Sequence, residues 1–269
     1  MAWIRRINQL PSPEKLGLYR MLVVPELFGR FKINPLTFRG PEGARNVRFY
    51  CPPGDPIAVI EIRQDPSDRE PIYSVQISDG QDARALEWDF VLINDPGSPR
   101  FDIDVDEQGR DTLFGRANRN LEEERKALEA GLFPGQVRSG LRLNRSTVDC
   151  IERFATVLSV QTVFLDALFY HNAVGYERSG FQYFEGFRRM QRIHEAFQEG
   201  GELYRRLDGS TPFRQPGFHE TVRGRSWAIH DGILDGSEDE LLEDGWMSPR
   251  MYLMPGRRGS ECTFPGARY

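Results

Sequence analysis

Ile57-Ala58-Val59-Ile60-Glu61-Ile62, Tyr73-Ser74-Val75-Gln76-Ile77 and Leu86-Glu87-Trp88-Asp89-Phe90-Val91-Leu92 decide the fold class. Along these runs apolar side chains alternate with polar ones at the period of a strand that buries one face. Between them lie Asp65-Pro66-Ser67-Asp68 and Ser78-Asp79-Gly80, which are turn chemistry, so neighbouring strands are expected to pair antiparallel. A further alternating run, Phe101, Ile103 and Val105, follows Asn94-Asp95-Pro96-Gly97 and extends the expected meander to three or four strands.

Downstream the period lengthens. Asn120 to Ala130 is rich in helix formers, carries acidic residues in its first turn and stops at Gly131. A helix is expected from Thr147 to about Val160, because Val148, Ile151, Phe154, Ala155 and Leu158 form one apolar stripe. Val163 to Tyr176 reads either as a buried strand leading into a helix or as one helix throughout. Phe187, Met190, Ile193 and Phe197 mark another core-facing helix. Upstream, Leu16 to Val24 is a short helix or strand before irregular chain. The expectation is an α/β (α+β) fold with a central, mostly antiparallel sheet flanked by helices. Residues 1–199 form the main domain, and residues 200–269, rich in Gly, Pro, Asp and Arg, form an irregular C-terminal extension packed on the core.

With 269 residues and 39% hydrophobic content, the chain can bury a sizeable core. Its formal charge of −5, with basic pairs such as Arg5-Arg6 and Arg188-Arg189 dispersed, gives no broad attraction for nucleic acid or an anionic membrane. Cys51, Cys150 and Cys262 form no CxxC pair, which points to a reducing compartment. The start Met1-Ala2-Trp3-Ile4-Arg5-Arg6 is not a secretory signal, and no early window is apolar enough to span a bilayer, so cytoplasmic residence is expected.

The most specific string is Asn172-Ala173-Val174-Gly175-Tyr176-Glu177-Arg178-Ser179-Gly180-Phe181. By itself it reads as a helix end, with Gly180 at a left-handed cap and Phe181 opening the next element against the core. Upstream, Pro134 to Arg142 is a Gly-containing segment ahead of a helix, where backbone amides and a helix N-terminus can hold phosphate; it also reads as a plain helix-leading turn. Over about residues 134–185 the pair resembles the cofactor segment of the GNAT superfamily of N-acetyltransferases. That resemblance implies a GNAT-like fold and acetyl-CoA or another acyl-CoA as co-substrate, held by Gln136, Val137, Arg138, Gly140, Arg142 and Asn172. It implies an amine acceptor, a small molecule or a peptide, attacking the thioester directly, with Tyr176 as the general acid. Glu87 and Asp89, flanking Trp88, are the candidate bases, and Glu61 is a further carboxylate on the first of these strands. Asn172 precedes Tyr176 by four positions, closer than in the family.

Two other classes compete. A non-catalytic binding or assembly protein with an acyltransferase-like core would use the aromatics between Phe164 and Phe187 as an interface, and residues 200–269 are open to either of two roles, covering an acceptor site or binding a neighbouring subunit in a homodimer. A metal-dependent enzyme would draw on His171, His194, His219 and His230, three of which precede an acid, but no HExxH, HxH or HxD pairing sets two ligands on one element, and no metal is expected.

Overall fold

The computed structural model describes residues 3–82, 84–113 and 118–269. In chain order the elements are α1 (Trp3–Asn8), α2 (Ser12–Tyr19), α3 (Pro25–Arg30), β1 (Val47–Tyr50), β2 (Ile57–Ile62), β3 (Tyr73–Asp79), β4 (Ala85–Ile93), α4 (Leu121–Glu129), α5 (Asn144–Val157), β5 (Thr162–Asp166), α6 (Tyr170–Arg178), β6 (Gln182–Tyr183), α7 (Phe187–Ala196), α8 (Glu202–Arg205), α9 (Val222–His230) and β7 (Arg250–Leu253). The fold is therefore mixed α/β, with mostly antiparallel strands and flanking helices. Among the described residues no helix is long and apolar enough to cross a membrane.

The chain divides into two compact units. The first comprises Met1–Gly97, Gly140–Leu165 and Tyr252–Arg258; the second comprises Ser98–Ser139, Asp166–Met251 and Gly259–Tyr269.

In the first unit β1, β2, β3 and β4 form an antiparallel meander, and β5 joins β4 in parallel through Ala85↔Thr162, Leu86↔Val163 and Glu87↔Phe164. A parallel neighbour requires a crossover, which α5 supplies. The alternation seen in the sequence is real: Ala58, Ile60 and Ile62 of β2 and Tyr73, Val75 and Ile77 of β3 are buried. In β4 it breaks at a bulge. Ile77 pairs with Trp88 but Gln76 pairs with Phe90, so Asp89 is an extra residue on β4. A bulge moves the later side chains to the other face, and Phe90 is exposed while Trp88 is buried. Residues 1–55 hold more regular structure than their Pro-punctuated pattern suggests. Pro25 opens α3 instead of only ending what precedes it, since a helix's first turn needs no proline N–H.

In the second unit α4 begins at Asn120, whose side chain accepts from the Glu123 amide. The expected strand at Phe101, Ile103 and Val105 does not form; Val105 makes one isolated bridge to Asp111, and Ile103 is buried in a cluster with Ala127, Leu132, Phe213 and Trp227. Alternation there reflects side chains anchoring a loop. Residues 163–176 resolve as β5 followed by α6. α6 closes as its sequence reads: Gly180 has φ +91°, the Gly180 and Phe181 amides bond to the Glu177 and Tyr176 carbonyls, and Phe181 is buried.

Candidate functional site

The predicted phosphate loop crosses the boundary between the units at Ser139 and Gly140, and each side is built differently. On the second-unit side its polar groups are engaged within the chain. The Gln136 side chain accepts from the Phe133 amide at 2.9 Å, the Val137 carbonyl accepts from the Phe101 amide at 2.9 Å, and Arg138 donates to the Ser98 carbonyl. Gly135, at φ +79°, is small because the Phe169 ring lies where a Cβ would stand. These contacts account for Gln136, Val137 and Arg138 as supports of the segment.

On the first-unit side the chain rests on the carboxyl end of β4, where a Cβ on Gly140 would come within 3.1 Å of the Ile93 carbonyl oxygen. Arg142 then takes a left-handed conformation, φ +60°, which a side chain adopts only at a cost, and its side chain is exposed. α5 follows with 14 residues, and no side chain caps its N-terminus. Its first-turn amides are thus open donors beside Arg142 and the exposed Arg145.

Asn172 caps α6, its side chain accepting from the Phe169 amide at 3.1 Å. Tyr176 packs against Phe181 with ring centroids 5.3 Å apart, and burial raises its pKa well above the usual phenol range. Glu87 stands on β4 opposite Ser78, whose hydroxyl donates to the bulged Asp89 at 3.0 Å. Glu61 lies near the Arg63 guanidinium, at 3.2 Å. Glu87 and Asp89 belong to the first unit, Asn172 and Tyr176 to the second.

Sequence reading treats the four histidines as scattered, and the second unit gathers them in pairs. His171 lies between the rings of Phe133 and Phe169, shares a 2.9 Å hydrogen bond with the buried Ser226 hydroxyl, and has its pKa pushed down to about 3, by burial first and His230 second. His230 Nε2 donates to Glu124 at 3.1 Å. Arg119 bonds both Glu124 and Asp231, and Asp231 accepts from Arg214 and Thr211. Burial works to raise the Glu124 pKa, but the bonds from His230 and Arg119 outweigh it and hold the carboxyl below its usual range. This network ties the start of α4 to the end of α9.

The other pair meets at Arg225. This side chain is 2% exposed; its Nε donates to the His219 carbonyl at 2.6 Å and its Nη1 to His194 Nδ1 at 3.1 Å. Its guanidinium stacks 3.6 Å from the Phe264 ring centroid. A surface cleft of about 370 Å³ opens here. The signal for these pairs in the sequence is faint, because His194, His219 and Arg225 come from separate elements. Among the described residues no three His, Cys, Asp or Glu side chains are grouped to hold a metal ion. In comparisons with known proteins, the chain matches no protein-family model, no curated protein and no solved structure.

Proposed function

We propose that the chain binds an acyl-CoA thioester through the loop and first turn of α5 and transfers the acyl group to an amine, as a GNAT-like acyltransferase. The observation carrying this reading is the placement of Gly140 on the Ile93 carbonyl, at the carboxyl end of β4, whose amino end Ala85–Glu87 pairs in parallel with β5, and four positions before the start of an uncapped helix. A helix N-terminus that follows the carboxyl end of a strand is a ready place for phosphate groups, because its amides point outward and its dipole favours negative charge. The exposed Arg142 adds charge for a pyrophosphate.

The chemistry then needs little apparatus. The amine loses a proton to a base and attacks the thioester carbonyl; the new C–N bond forms as the C–S bond breaks, and the thiolate takes a proton from an acid. The resemblance gives the acid role to Tyr176, a phenol that is protonated at neutral pH and that burial, by raising its pKa, makes a weaker proton donor. The base role goes to Glu87 or Asp89, and the bulge at Asp89 is the kind of irregularity that re-aims a side chain beside a reacting centre.

The test is a thermal-shift titration with acetyl-CoA and free coenzyme A, joined to an assay of thiol release with a panel of amines. Saturable stabilisation of the wild type that Arg142→Ala weakens, with Tyr176→Phe binding normally but releasing thiol slowly, is the expected result. No shift at millimolar ligand would sink the proposal.

A further inference from the structure

Arg225 has no carboxylate partner: among the described residues no Asp or Glu forms an ion pair with it, and a backbone carbonyl, an imidazole, the Tyr170 phenol and aromatic faces surround the cation. A desolvated guanidinium without a counter-ion is among the most costly groups a fold can keep. The cost is compounded nearby. The buried His219 Nδ1 lacks a hydrogen-bond partner, and the buried Tyr170 hydroxyl has only the Arg225 guanidinium beside it, which opposes the burial that raises its pKa to about 12. Buried charges in native folds are normally paired and buried polar atoms satisfied, so an unpaired cation and an unsatisfied imidazole nitrogen in one neighbourhood need a common explanation.

The cleft supplies it. Arg225, His194, His219, Gln198 and Arg268 line it together with Phe264, and the exposed Arg268 guanidinium likewise forms no ion pair among the described residues. Against these stands one acid, Glu220, which is exposed. We infer that this cleft of the second unit is a binding site for a compact oxyanion, a carboxylate or phosphate group, with Arg225 at its floor and Arg268 at its rim. Arg225 is held ready: its Nε and Nη1 are fixed by His219 and His194 and its face by Phe264, which leaves the rest of the fork to meet an anion with little ordering on binding. His194 is kept from protonation by burial and then by Arg225, so it serves as an acceptor for the guanidinium and leaves the positive charge on the arginines. The site does not depend on the acyl-CoA reading.

The experiment follows the full chain's melting temperature while inorganic phosphate, or acetate in a separate arm, replaces chloride at constant ionic strength. Saturable stabilisation in the phosphate arm assigns the site to phosphate esters, and in the acetate arm to carboxylates; either supports the inference. Arg268→Ala, an exposed change that leaves the fold alone, and Arg225→Met, which removes the buried charge while keeping bulk, should each weaken the apparent affinity roughly tenfold or more. Arg142→Ala should leave the response intact, which separates this site from the α5 terminus. Absence of saturation in both arms, or a response that survives both Arg225→Met and Arg268→Ala, would overturn the inference.

Discussion

The two units bury different chemistry. In the first, the interior is mostly apolar strand faces and helix stripes, and among the described residues the one buried charged side chain, Lys15, reaches the carbonyls of Asn8 and Cys51. In the second, Asp106, Glu124, Glu177 and Arg225 are all buried. Glu177 shows how far this goes: it is 5% exposed, accepts from the Tyr183 hydroxyl and from the amide and hydroxyl of Thr263, and has its pKa raised by burial despite them. Both units bury an apolar core, but only the second, among the described residues, also buries carboxylates and an arginine. Conditions and substitutions that change charge should therefore separate them.

The largest effect expected combines both modes. Trp227 is fully buried, stacks on Phe213 at 5.2 Å and donates to the Leu132 carbonyl at 2.8 Å, so Trp227→Ala should cost about 4 kcal/mol in urea unfolding. Glu124→Ala should cost about 3 kcal/mol, since it takes one of two carboxylates from Arg119 and removes the acceptor of His230; a loss below about 1 kcal/mol would break the contrast between the units. The matching change in the first unit, Ile60→Val, removes one methylene from an apolar site and should cost only about 1 kcal/mol.

Acid sharpens the same contrast. His171 titrates near 3 when folded and near its ordinary value when unfolded, so between those values the unfolded chain binds the extra proton and stability falls as pH falls, by up to about 1.4 kcal/mol per pH unit. Glu124, with its lowered pKa, adds a loss in the same direction as pH falls through its folded value; Glu177, with its raised pKa, acts oppositely and loses its contribution as pH rises. Replacing His171 by Gln should flatten the dependence between pH 6.5 and 3. An unchanged slope would show that His171 is not what acid attacks. Smallest of all, Arg225→Met should alter stability by no more than about 1 kcal/mol, because relief of the unpaired buried charge is offset by the loss of the donors to the His219 carbonyl and His194.

The same division explains what could be read from the sequence. Strands β2, β3 and β4, helices α4 and α5 and the cap at Gly180 are local patterns, and they were legible residue by residue. The bulge at Asp89 was not, because an inserted residue shows only in the register with β3. Nor were the pairings of His171 with Ser226 or Arg225 with His194, which join residues 55 and 31 positions apart. The loop before α5 was half legible. Its glycine and arginines were visible, but not that Arg138 holds Ser98 while Gly140 sits on Ile93.

The most direct test of the acyl-CoA reading is amide hydrogen exchange across residues 140–146, with and without coenzyme A. The account predicts that ligand slows exchange of the Asn144, Arg145 and Ser146 amides at the uncapped start of α5, and that Arg142→Ala removes most of that protection. Unchanged exchange there at saturating ligand, or protection confined to the segments around Arg225, would contradict it.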